Sequence, residues 1–172
     1  MSPVLPLDRI PIGVVVERRK AASAWIDFVW RAVRILPGQP EAAPWTVLAM
    51  DDVCTTFYAG SAEINLYRTE TGRYRDNLVS GAPSIWVALR SSGVDPAYEI
   101  VSVTADPAEG ESMTQAGGDL VEAVDMPAAV RDLIEAFVAE HHVEQPFVKR
   151  RRDPANPEAM ARCAPNQKDR TE

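Results

Sequence analysis

The chain has 172 residues, 46% of them hydrophobic and 25% charged, enough for one globular domain with a sizeable core and a tail. A net charge of −7 argues against general nucleic-acid binding, which needs clustered cations to displace phosphate counterions. No apolar run approaches the roughly 20 residues of a membrane span, and no cationic segment followed by an apolar one opens the chain, so a cytoplasmic location is expected.

Residues 1–9, with Pro3 and Pro6, read as a lead-in. Residues 10–19 are rich in β-branched side chains and predict a strand. A polar connection over 20–27 leads to a second strand over 28–36, stopped by the turn pair Pro37-Gly38. A third strand is expected over 44–50, a turn at Asp51-Asp52, and a short fourth strand over 54–58 that Gly60 separates from the next. That next strand, 61–68, alternates cleanly: Ala62, Ile64 and Leu66 point one way, Glu63, Asn65 and Tyr67 the other. Residues 69–79 predict a helix of about two turns with Thr69 as a capping residue, because Tyr74 and Leu78 are four apart; a continuous hairpin is the alternative. In the strand over 84–90, Ile85, Val87 and Leu89 share one face and Trp86, Ala88 and Arg90 the other. Another strand covers 98–104. Residues 106–118, rich in Gly, Ser and Glu, read as a mobile loop, and 120–124 as an edge strand. A final helix follows, with Asp125 as its cap and Pro127 in its first turn. Its apolar stripe is Val130, Leu133, Ile134, Phe137, Val138 and His141.

Strands in series with one terminal helix give an α+β fold. It is a mostly antiparallel sheet or partly open barrel of about seven strands, with the C-terminal amphipathic helix packed on it. The domain is expected over 9–148, with a basic run and disordered tail over 149–172. Charge is unevenly spread. Residues 1–94 carry ten basic and nine acidic side chains, 95–148 one and twelve, and 149–172 seven and four. Such a split suits a charged protein partner, or solubility alone.

Motifs for chemistry are scarce. There is no GxGxxG, no GxxxxGK[ST] and no GxSxG, and Gly117-Gly118 sits in acidic surroundings without a lysine. The two histidines, His141 and His142, are adjacent; on a helix they diverge by about 100°, a poor geometry for chelating one metal. No metal site or cofactor is therefore expected. Cys54 and Cys163 are too few for a disulfide framework, and Cys54 with His141 is conceivable as a pair without any spacing that demands it. The tryptophans at 25, 30, 45 and 86 suit core or interface. The candidate partner-binding residues are Glu63, Tyr67, Trp86 and Arg90, on the polar sides of two alternating strands. The other reading of these four is the ordinary solvated side of a sheet.

Three stretches carry a resemblance: residues 10–19 (IPIGVVVERR), residues 63–90 from EINLYRTET through YRDNL to PSIWVALR, and residues 141–153 (HHVEQPFVKRRRD). Across roughly 9–153 the chain resembles a bacterial family of unknown function whose members are usually encoded beside molybdenum-dependent formate dehydrogenases and their accessory proteins. Some members are labelled molybdopterin-guanine dinucleotide biosynthesis protein A. This chain departs from enzymes of that name, because their glycine-rich, lysine-containing nucleotide loop is missing. The resemblance brings no catalytic residues. It implies a non-catalytic cytoplasmic accessory protein acting in assembly, cofactor insertion or subunit association of such a dehydrogenase, with a dehydrogenase subunit or a maturation factor as partner. The alternative is a pterin- or nucleotide-binding enzyme or carrier of molybdenum cofactor biosynthesis.

Overall fold

The computed structural model describes residues 5–144. β1 (Asp8–Lys20), β2 (Phe28–Pro37), β3 (Thr46–Met50) and β4 (Cys54–Leu66) form one antiparallel sheet in the order β2–β1–β4–β3. β5 (Ser84–Ser91), β6 (Tyr98–Thr104) and β7 (Leu120–Asp125) form a second, in the order β6–β5–β7. The sheets enclose one core. Ile10, Ile12, Val14 and Val16 of β1, Ile64 and Leu66 of β4, and Ile85, Val87 and Leu89 of β5 all belong to it. Alternation explains this directly, since every second side chain of each strand faces inward. Arg31 on β2 reaches Glu122 on β7 at 3.2 Å, but no hydrogen-bond ladder joins those strands and no closed barrel forms.

Gly60 does not break its strand. β4 runs unbroken through it because Gly60 sits at φ +139°, a region open to glycine and strained for other residues. The register against β1 slips here, with Val14 opposite Gly60 and Val15 opposite Tyr58, so Ala59 is the extra residue of a bulge. Both halves of β4 thus keep their apolar side inward.

Two more expectations need correction. Residues 106–118 are not a loop: Pro107–Ala116 form helix α2, whose N-cap Asp106 accepts a hydrogen bond from the Ala108 N–H at 2.9 Å. An acidic cap followed by Pro in the first turn is a helix start that the glycine-rich composition hid. Asp125, in turn, ends β7 rather than capping the last helix. Helix α3 (Ala128–His141) has Pro127 at its N-cap position and no side-chain cap. Of its predicted stripe, Val130, Ile134, Phe137 and Val138 are buried, while Leu133 is exposed.

The stretch 69–79 is helical. A 3₁₀ turn at Arg68–Glu70 leads into α1 (Thr71–Leu78), without a side-chain cap from Thr69. Tyr74 of α1 is fully buried against Phe137 of α3, and its hydroxyl accepts the Tyr67 N–H at 3.2 Å. The two helices therefore close the core at the Leu66 end of β4. Asn77, also buried, spans from α1 to sheet 2: its amide donates to the Ser84 and Ala105 carbonyls and accepts from the Ser84 N–H. The compact unit ends at His142. The end of the expected domain and the predicted tail, with Cys163, lie outside the described residues. Among those residues no helix is long and apolar enough to cross a membrane.

Burial pushes the Tyr74 phenol up to about 12, with the Tyr67 N–H pulling the other way. The unfolded chain ionises this tyrosine near pH 10. Its contribution is thus whole below pH 10 and lost as pH rises from about 10 to 12. Urea midpoints should show wild type losing about 2 kcal/mol more than Tyr74→Phe between pH 9 and pH 11.5. Parallel losses in the two proteins would place the phenol in water.

Candidate functional site

The two sheets differ in length, and that mismatch builds the site. β1 and β4 each have 13 residues, whereas β5, β6 and β7 have eight, seven and six. Sheet 2 covers the inner face of sheet 1 from the helix-capped end as far as Tyr98, whose ring lies 5.5 Å from that of Trp30. Beyond this point the inner face continues without sheet 2 over it. Strand pairing places Trp30 opposite Arg18 and Phe28 opposite Lys20 on β2 and β1. It likewise places Thr55 opposite both Arg18 and Met50, with Phe57 opposite both Val16 and Val47.

Aromatic rings collect at the boundary. Trp30 stacks on Phe57 at 5.8 Å and meets Trp45 nearly edge-on at 6.1 Å, and Trp45 meets Phe57 at 5.9 Å. Trp45 takes φ +66°, an uncommon value for a bulky residue, and thereby turns its ring into the cluster just before β3 begins. The Arg18 guanidinium lies among three rings, 4.7 Å from the centroid of Phe28, 5.5 Å from Phe57 and 5.8 Å from Trp30. Such rings attract a cation through their negative faces. Nη2 of Arg18 donates weakly to Thr55 Oγ1 at 3.4 Å. Its Nε is buried with no acceptor, and no described carboxylate forms an ion pair with Arg18.

Outside the rings a groove of about 420 Å³ opens, lined by Arg18, Lys20, Phe28, Met50, Asp52 and Thr55 among others. Its far wall is the β3–β4 turn. Asp51 makes that turn by accepting the N–H groups of Val53 and Cys54 at 2.8 and 2.7 Å, which hold its carboxyl below the usual range. Asp51 is therefore occupied with backbone, as the sequence reading of a turn expects. Apolar side chains of β2, β3 and the loops next to them are open to solvent. Phe28, Met50 and Val53 are 40%, 74% and 50% exposed, Trp25 is 94% exposed, and Ile26, Val47 and Leu48 are also open to solvent. β3 is an edge strand whose five residues are all exposed, with no Lys or Pro among them to discourage pairing.

The four predicted site residues are placed on two different sheets. Glu63 lies on the outer side of sheet 1 and pairs with Arg9 at 3.3 Å. Tyr67 follows β4, half-buried, with its N–H on Tyr74. Trp86 is half-buried beneath α2: a Cβ placed on Gly110 would lie only 2.2 Å from Trp86 Cγ. Arg90 makes a two-pronged pair with Asp119, 2.9 Å on each prong, and its Nε–H holds the Asp119 carboxyl low. The alternation behind the choice is right for both strands. Their polar sides, however, face away from each other across the core, so the four do not form one surface. Cys54 begins β4 at the groove end, whereas His141 packs on the Phe137 ring at the helix end, so the two are not brought together. His142 contacts Thr71 and Arg75, 3.1 Å from each. Arg75 can only donate, so His142 Nε2 accepts and its Nδ1–H faces Thr71 Oγ1. Among the described residues no group of three or more Cys, His, Asp or Glu is placed to hold a metal.

Sequence reasoning missed Arg18, Phe28 and Phe57. A signal was present: Arg18 and Lys20 continue in phase with the buried Val14 and Val16, so two cations sit on a core-facing period. No curated protein and no solved structure matches the chain. A family model fits residues 11–151, spanning both sheets and all three helices, and the chain belongs to that family, the proteins of unknown function DUF3305.

Proposed function

We propose that this chain is a non-catalytic cytoplasmic accessory protein that works by binding another protein, in assembly, cofactor insertion or subunit association of a molybdenum-dependent formate dehydrogenase. The observation that carries the reading is the exposed apolar surface at the open end of sheet 1, with Trp25, Ile26, Phe28, Val47, Leu48, Met50 and Val53 uncovered. Contiguous apolar surface edged by charge is characteristic of protein interfaces, and tryptophan and phenylalanine are common anchors there. The dehydrogenase as partner rests on the resemblance of residues 10–19, 63–90 and 141–153 to chains encoded beside that enzyme. A groove of about 420 Å³ lined by Phe28 and two cations, Arg18 and Lys20, also suits the second reading, a pterin or nucleotide carrier.

Purification of the full-length chain with an affinity tag from its native host separates the two. The expected result is retention of dehydrogenase subunits through washing. Their absence, together with micromolar binding of magnesium-GTP in calorimetry, would transfer the proposal to the carrier reading.

A further inference from the structure

Among the groove residues, Arg18 carries a buried donor that nothing in the described chain satisfies. Its guanidinium has ring faces on three sides, a long contact to Thr55 and a buried Nε without an acceptor. A buried unpaired donor costs free energy, and a guanidinium best satisfies its planar fork with a carboxylate or a similar anion. The second groove cation, Lys20, adds positive charge; of the two groove carboxylates, Asp51 is held by the turn it makes and Asp52 is its neighbour in that turn, so the positive charge is concentrated on the Arg18 and Lys20 side. Three side chains of the lining, Phe28, Met50 and Val53, are apolar and exposed. The surface therefore asks for an occupant that is apolar around its edge and negative at its centre.

We propose that the uncovered inner face of sheet 1 docks an amphipathic segment of the partner protein, in which an Asp or Glu among apolar residues pairs with Arg18. This rests on the protein-binding reading given above. The segment takes over, beyond Tyr98, the covering role that sheet 2 plays over the rest of that face. Its apolar residues bury Phe28, Met50 and Val53. Its carboxylate pairs with the edge of the guanidinium that lines the groove. Displacement of water from the groove strengthens the pair, because the rings packed around Arg18 lower the local dielectric.

The probe is the formate dehydrogenase purified from the native host, titrated onto the immobilised full-length chain. Arg18→Gln should weaken binding by about 30-fold or more, and Arg18→Glu further, as for loss of one partner of a buried charge pair. Affinity of wild type should fall as salt is raised, and Arg18→Gln should flatten that dependence, which a purely structural role for Arg18 would not do. Met50→Glu and Val53→Glu alter exposed positions and should fold; each should also weaken binding by placing a negative charge against the acidic segment. Arg90→Gln, on the other sheet's outer side, should bind as wild type. If wild type binds the dehydrogenase and these groove variants bind equally well, the docking surface is elsewhere and this proposal falls alone. If wild type does not bind it, the protein-binding reading falls and takes the proposal with it. Magnesium-GTP bound by wild type and lost in Arg18→Glu, with dehydrogenase binding unchanged, would assign the groove to a small anion and overturn the docking proposal.

Discussion

Gly110→Ala should destabilise the domain by about 2–3 kcal/mol, although alanine is the better helix former. Two effects oppose each other. In an exposed helix interior the change gains about 1 kcal/mol. Here the added Cβ would come within 2.2, 2.4 and 2.5 Å of Trp86 Cγ, Cδ1 and Cδ2. Those atoms form the base of the indole, next to the backbone of β5, so a swing of the ring tip does not relieve the overlap. Either α2 lifts off sheet 2 or the indole leaves its rotamer, and overpacking of this kind costs 1–3 kcal/mol or more. The overlap outweighs the propensity gain, and the melting temperature should fall by roughly 5–10 °C. Trp86→Ala removes the obstacle. The double variant should therefore be more stable than the sum of the two single losses by about 1 kcal/mol or more. A rise in melting temperature for Gly110→Ala alone would mean that α2 does not lie on Trp86.

The same contact shows where sequence pattern stops being informative. Period-two alternation sorted the sides of β4 and β5 correctly, down to Ile85, Val87 and Leu89 inward. It carries no information about what covers the second side. Trp86 read as open because the helix that covers it, α2, was itself read as a loop. Its glycine, which suggested mobility, is there to let the indole approach. Gly60 misled in a similar way, since a glycine that breaks a strand and one that permits a bulge look alike in one dimension. The groove was invisible for another reason. It arises from a difference in strand length between sheets, and only pairing and sheet order reveal that β1 and β4 outrun β5. What was legible there was the phase of Arg18 and Lys20 with the core side of β1. A cation in that phase points to a site where the core is left open.

Phe137→Ala should cost about 3–5 kcal/mol, the usual range for deleting a buried aromatic ring. The ring stands nearly upright against Tyr74 at 6.3 Å and receives His141 at 4.7 Å, so it joins α3 to α1 as well as to the core. Small domains hold only about 5–15 kcal/mol in total, and the variant should lose about a fifth or more of that. The neighbours on α3 make the measurement specific. Glu135 is exposed, and Glu135→Ala should cost at most about 0.5 kcal/mol. Leu133 separates pattern from packing: helical periodicity puts it in the apolar stripe, yet it is 54% exposed. With half its surface already in water, Leu133→Ala should cost about 1 kcal/mol or less, well below the 2–5 kcal/mol of a buried leucine. Urea denaturation of the three variants reads these differences directly. Leu133→Ala as costly as Phe137→Ala would show α3 rotated about its axis from the orientation described, with the periodic stripe, rather than Val130, Ile134, Phe137 and Val138, against the sheets.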